Sequence, residues 1–335
     1  MPREIVGKGL RFSLRHAPCA HICRYCLISE SRKRSALPFS RFEQLVHRFH
    51  DWKQSGDCND FPIGIFVGPS FDYDLETLEG VARLHARRGA KFQMLNLGGL
   101  RIRHGDALIA WLEARRAAGI MGFHTSLAGC GETHDRWNGR AGDFDYQTLI
   151  LRLAGERGMV RSERLFLTRN TLPIFDRLLD ILDDIPGDVR SRVASPFFYA
   201  GLAKRYESER LTEDDREKLS DRINQLRPAR FDNWLSEREW IPMMLETADR
   251  PRKLLLKIDV DEANIDYLEN TSCEEIFAER ERQYQDSYRR IPALAELCSR
   301  YGDSTSRKIY MMSRDVEGRW MDMHERETGI KAPID

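Results

Sequence analysis

The feature that most constrains this chain is a rhythm. From about residue 8 to residue 200 a short apolar strand, a polar loop, an amphipathic helix and a glycine recur in that order. "GLRFSLRH" precedes a helix in "PFSRFEQLVHRFHDW", where Phe42, Leu45, Val46 and Phe49 share one face and Ser40 and Glu43 have capping-box spacing. The cycle repeats with "FPIGIFVG" and a helix between Asp74 and Gly89, "KFQMLNLGG" and "DALIAWLEARRAAG", then "IMGFHTSLAG" and a helix closing at Gly158. "RLFLTRN", a helix from the region of Leu172 toward Gly187, and "RVASPFFY" complete it. Strands alternating with helices build βαβ units, so about six of them predict a parallel sheet, closed or partly closed. Ligands of such sheets sit at the carboxyl ends of the strands.

After residue 200 the rhythm gives way to charged helical patterns, "LTEDDREKLSDRINQL" and "WLSEREWIPMMLE". "KLLLKIDV" and "NIDYL" read as strand-like, Thr271 and Glu274 have the spacing to cap a following helix, and "PALAELCSRYG" reads as another. The expected organisation is a core over residues 1–230 and a mainly helical extension over 231–335 packed on it. No repeat beyond the βα rhythm and no low-complexity segment is present.

Composition narrows the function. A hydrophobic fraction of 41% with 32% charged residues suits a soluble globular enzyme, and no apolar run approaches the ~20 residues of a membrane span. The amino terminus lacks the apolar core of a secretory signal, so a cytoplasmic location is expected. Lys plus Arg equals Asp plus Glu at 53 each, which gives no overall field for phosphate backbones, and nucleic acid is not indicated. The short basic run "SRKRS" at 31–35 is a solvated connection or a contact for a leader peptide or phosphate.

Of seven cysteines, Cys58, Cys130, Cys273 and Cys298 are scattered, whereas Cys19, Cys23 and Cys26 fall within eight positions after the first strand. That pattern argues against a disulfide framework. Two readings compete for the cluster of three. Zinc would take three thiolates and His21, but His21 sits inside the first spacer and no second knuckle follows. An iron–sulfur cluster held by three thiolates would keep one iron open, where electron carriers use four.

Cys19-x3-Cys23-x2-Cys26, with Tyr25 before the last cysteine and a strand before the first, resembles the signature of the radical S-adenosylmethionine (radical SAM) superfamily. The resemblance covers roughly residues 8–200 and implies a partial (β/α)6 TIM-like barrel. It implies one [4Fe–4S] cluster on Cys19, Cys23 and Cys26 whose open iron chelates S-adenosylmethionine. Reduction, by a donor such as flavodoxin or ferredoxin, then yields a 5′-deoxyadenosyl radical that abstracts a substrate hydrogen. Tyr25 would lie near the adenine. Gly68-Pro69-Ser70 stands where the family carries a Gly-Gly-Glu-like element, of which only the glycine and location match. "SLAG" at Ser126–Gly129, followed by "ETHDRWNGRAGDFD", resembles the "SLDG…HD…R…G-S-F-D" run of peptide-modifying members, with Ala128 for the usual Asp and Asp143 for the usual Ser. Ser126 would then meet the cofactor carboxylate or ribose, Arg136 or Arg140 would be a charge partner, and Asn170 would be a polar contact at the end of the fifth strand.

Members with a SPASM extension bind auxiliary clusters through a dense cysteine array. Only Cys273 and Cys298 fall in this tail, so no auxiliary cluster is expected. The remaining cysteines read as small buried hydrophobes, although Cys130, after the fourth strand, is a candidate hydrogen donor. The leading expectation is an enzyme acting on a peptide or amino-acid-like substrate. Radical chemistry on a small metabolite, such as a sugar, nucleoside or natural-product intermediate, is the alternative. A zinc-stabilised binding module is a more remote one.

Overall fold

A computed structural model of the 335-residue chain describes residues 5–28, 35–56, 61–226, 234–248 and 252–331. Cys58, positions 31–34 of the basic run and the domain boundary at 230 lie outside them. Six strands follow the expected rhythm: β1 (Ile5–Ala17), β2 (Ile63–Pro69), β3 (Met94–Asn96), β4 (Gly122–Leu127), β5 (Val160–Leu167) and β6 (Val189–Pro196). Between and after them come α1 (Phe39–Ser55), α2 (Leu75–Ala86), α3 (Gly105–Ala117), α4 (Glu132–Asn138), α5 (Asp143–Gly155) and α6 (Phe175–Asp183). Every ladder among the six strands is parallel. One sheet contains β2 beside β1 and the other runs β3-β4-β5-β6, so the α/β barrel is partial, with no ladder joining β2 to β3 among the described residues. A side-chain bond spans that opening, where Ser70 Oγ, just past β2, donates to the carbonyl of Gly99, just past β3, at 3.0 Å.

Residues after 230 add β7 (Leu235–Ser236), β8 (Arg252–Val260) and β9 (Ile309–Tyr310), with helices at Glu237–Leu245, Ile265–Asn270, Cys273–Arg289, Leu294–Tyr301 and Ser313–Thr328. The extension is not merely packed on the barrel, because β8 pairs in parallel along the free edge of β1. Leu256, Ile258 and Val260 stand in register with Leu10, Phe12 and Leu14, and all six are buried. Each such side chain contributes about 1.5–3 kcal/mol relative to exposure, so β1 is the central strand of this sheet with its apolar side chains buried, while Arg11 and Arg15 stay exposed. A separate apolar cluster around Trp240, Tyr288, Leu297 and Trp320 joins the late helices to one another.

Several local expectations are corrected. Ser40 and Glu43 do not cap α1, which begins at Phe39 after Pro38; Glu43 instead accepts from Arg83 of α2 at 2.8 and 3.0 Å. "NIDYL" is helical, within Ile265–Asn270. The next helix is capped one residue later than expected, by Ser272 with Glu275, because "TSCEE" carries the S/T-x-x-E spacing in two frames. The helix expected to close at Gly158 is two helices, broken at Gly139.

Candidate functional site

β1 delivers the cysteine loop to the carboxyl ends of the parallel strands, and the loops after β3, β4 and β6 hold it there. The amide of Ala20 donates to Gly99 O at 3.0 Å, those of Ile22 and Arg24 to Asn138 O and Trp137 O at 3.1 and 2.8 Å, and that of Leu202 to Cys26 O at 2.9 Å. Two glycines fix how closely these loops approach. Gly99 has φ +79°, and a Cβ on it would stand 2.5 Å from Cys19 Sγ; Gly201 has φ +52°, and a Cβ there would stand 2.2 Å from Cys26 O. Any L side chain is therefore excluded twice at each position, by backbone conformation and by space.

Behind the loop lies a saturated polar hub centred on Asp143, the first residue of α5, which is fully buried. His21 Nδ1 accepts the amide of Gly99 at 3.1 Å, which assigns the proton to Nε2, 3.0 Å from Asp143 Oδ1. His134 does the same from α4, since its Nδ1 accepts the amide of Ala128 at 3.2 Å and its Nε2 lies 3.0 Å from Asp143 Oδ2. Asn138 and Gln147 donate to Oδ2 at 2.6 and 2.8 Å, and Arg140 Nε donates to Oδ1 at 3.1 Å. Burial alone would raise the Asp143 pKa; hydrogen bonds from His134 and His21 outweigh it and hold the carboxyl well below the usual carboxylate range. Asn138 also accepts from the Tyr25 hydroxyl at 2.5 Å, which ties the cysteine loop to the hub.

The loop roofs a cavity of about 540 Å³ whose wall includes Cys19, Cys23, Cys26 and Tyr25. Tyr25 packs on Phe197 and Phe166 with ring centroids 4.9 and 5.0 Å apart, so one side is aromatic. Burial first, and then the charges of Cys23, Asp143, Cys26 and Cys19, push the Tyr25 phenol up and keep it protonated. The residues present suit an iron–sulfur cluster: three thiols on one loop face one cavity, none of the described cysteines is in a disulfide, and Gly99 leaves room beside Cys19 Sγ that a Cβ would fill. They suit a Cys3His zinc site poorly. Both ring nitrogens of His21 are engaged, one by the amide of Gly99 and the other by Asp143, so neither is free for a metal.

Of the other residues singled out from sequence, Pro69 and Ser126 line the cavity. Gly68 precedes Pro69 through a cis peptide bond, and Ser70 is buried between the loops after β1 and β3. The rest are placed elsewhere. Arg140 is an ion-pair partner of Asp143, Arg136 is exposed and donates to Thr133, and Asn170 is exposed and donates to Glu209 at 3.0 Å. Cys130 packs in the main apolar core, where burial pushes its thiol up, and does not face the cavity.

The inner wall was missed from sequence: Asn96 of β3, His124 of β4, Ser162 and Arg164 of β5, and Ser191 of β6 all line the cavity. A signal existed. Strands covered on both faces read as unbroken apolar runs, yet "GFHTSL", "VRSERLFL" and "VRSRVASP" carry consecutive polar residues at 124–126, 161–164 and 190–192, so both faces of each strand are polar there, which marks a lumen that holds water or ligand.

The chain matches no family profile and no curated protein sequence. Among solved structures, SuiB of Streptococcus suis bound to its precursor peptide SuiA is similar at 12% identity and a TM-score of 0.45, over 79% of this chain and 52% of that one. SuiB bound to S-adenosylmethionine is similar at 12% identity and 0.42, over 81% and 55%. Coproporphyrinogen III oxidase (HemN) from Escherichia coli, a radical SAM enzyme, gives 15% identity and 0.39, over 72% and 54%. The chain thus spans about half the length of each, and likenesses this distant do not carry an activity across. No helix among the described residues is long and apolar enough to cross a membrane.

Proposed function

We propose that this protein is a radical S-adenosylmethionine enzyme whose substrate is a peptide or an amino-acid-like molecule. The observation that carries the reading is the cysteine loop itself: three thiols at x3 and x2 spacing, presented to one cavity at the carboxyl ends of parallel strands. Cys19, Cys23 and Cys26 would hold the cluster, and Tyr25, Pro69 and Ser126, on the same cavity, would contact S-adenosylmethionine. When bound, the cluster and S-adenosylmethionine supply reductive cleavage and a hydrogen-abstracting radical. The chain's own part is to position and shield. The Asp143 hub fixes the loop through His21 and Tyr25, and Phe166 and Phe197 keep water from one side of the cavity. Peptide over small metabolite rests on the "SLAG…HD…FD" run, in which His134 and Asp143 are hub residues.

The test is anaerobic reconstitution, iron and sulfide analysis, then dithionite and S-adenosylmethionine with chromatography for 5′-deoxyadenosine. About four irons per chain, with 5′-deoxyadenosine formed, and both lost when Cys19, Cys23 and Cys26 are replaced by alanine, is the expected result. Zinc without iron, or a cluster retained in the triple variant, would refute the reading. A mass shift in a co-expressed peptide separates the peptide substrate from turnover of a free metabolite.

A further inference from the structure

Strands β5 and β6 carry four arginines, and they are treated unequally. Arg161 and Arg192 share Glu163: Arg161 Nε donates to Oε1 at 2.7 Å, and Arg192 Nε donates to Oε2. Arg164 lies two residues beyond Ser162 and two before Phe166, the face that lines the cavity, and stands in register with Ser126 of β4. It has no hydrogen bond or ion pair among the described residues; its one recorded contact of this kind is with the ring of Phe198, 5.7 Å from the guanidinium carbon. The side chain is exposed, yet burial lowers its pKa, which is the condition of a group on a concave wall. His124, Ser126, Ser162 and Ser191 bring hydrogen-bonding capacity to the same cavity, and Glu163, the carboxylate among the lining residues, is already held by Arg161 and Arg192.

A guanidinium in a partly dry lumen is strongly favoured when it meets an anion, and its planar fork matches a carboxylate in two parallel hydrogen bonds. Phosphate fits less well. Its second charge would need a second cation on the wall; Arg190 does not line the cavity, and burial, with the charges of Arg190 and Arg164, holds the His124 pKa below its ordinary value. We propose that Arg164 anchors a carboxylate group of the substrate inside the barrel, so that the chain acts on an acidic side chain or a free terminal carboxylate. This deepens the reading above, since it takes the same cavity as the substrate chamber.

The experiment uses the anaerobically reconstituted full chain and an isosteric pair of probes, N-acetylglutamate α-amide and N-acetylglutamine α-amide, with binding followed by calorimetry. The acid should bind at least tenfold tighter than the amide; Arg164→Gln should erase that ratio by weakening the acid alone, and Arg164→Lys should restore part of it. Equal binding of acid and amide, or a ratio unchanged in R164Q, overturns the proposal. So does inorganic phosphate outcompeting the acid, or an equal loss of S-adenosylmethionine affinity in R164Q, which would give Arg164 to the cofactor. Iron content and 5′-deoxyadenosine formation are measured on the same preparation. Their failure would sink the radical assignment and leave the acid-to-amide ratio to stand or fall alone.

Discussion

Asp143 and Arg164 are two charged side chains in the same half of the barrel, and their surroundings are opposite. Asp143 is fully buried and receives hydrogen bonds from His21, His134, Asn138, Gln147 and Arg140. Arg164 faces a cavity and receives no carboxylate among the described residues. A buried charge whose lone pairs are all occupied has nothing left to offer a ligand, and its role is to fix geometry. An accessible cation left uncompensated in a concave wall retains its capacity for an anion. The contrast separates scaffold from site more sharply than burial does, since both residues belong to the same set of strands and loops.

The harshest way to break the comparison is to remove the saturated partner. Asp143→Ala strips two histidines and an arginine of their common acceptor and should destabilise the fold by about 3–5 kcal/mol, the usual cost of breaking a buried ion pair from one side; urea unfolding measures it. The acid limb provides a second reading. Because the folded pKa of Asp143 lies below its unfolded value of about 3.9, its contribution is complete above that pH and is lost as pH falls further. The wild-type protein should therefore lose stability below about pH 4 more steeply than the alanine variant. Equal slopes would mean that Asp143 is not the charged centre of the hub.

A smaller effect is expected where the hub meets the thiols. Gly99→Ala places a methyl against Cys19 Sγ on a left-handed backbone, at about 1–2 kcal/mol for the conformation alone. Stability should fall modestly while iron content after reconstitution falls more, because the displaced atom belongs to a cysteine proposed to hold the cluster. Full iron loading in G99A would show that the approach of the loop after β3 does not set the position of Cys19.

The barrel was legible because its signal is periodic: six strands and their helices follow from apolar runs alternating with amphipathic faces, and the spacing of Cys19, Cys23 and Cys26 marked the loop on which the proposed function rests. The hub was not legible, since His21, His134 and Asp143 are joined across 122 and 9 residues by packing that no local pattern encodes. Asp143 even stood out as a departure from a motif, yet the structure makes it the acceptor that orders the motif's histidine. Arg164 was readable in principle. A run of polar residues in a strand covered by helices has no place in a dry core, and that conflict between composition and burial pointed to a lumen.

The finest test of the contrast looks at His124. Its pKa lies below the ordinary value through burial first, then the charges of Arg190 and Arg164. If Arg164 lies in the lumen uncompensated, Arg164→Gln removes one of the two charges, and the His124 pKa, followed by NMR titration, should rise while staying below about 6.5, the value of an unperturbed imidazole. The carboxylate probe should act in the same direction on the wild-type protein, since an anion seated on the guanidinium cancels its field at the ring. The two changes should not add: in R164Q the probe has no cation to cancel and should leave the titration where it is. A His124 pKa that is unmoved by the substitution would place the guanidinium away from the ring, and a probe that still shifts it in R164Q would put the anion on Arg190.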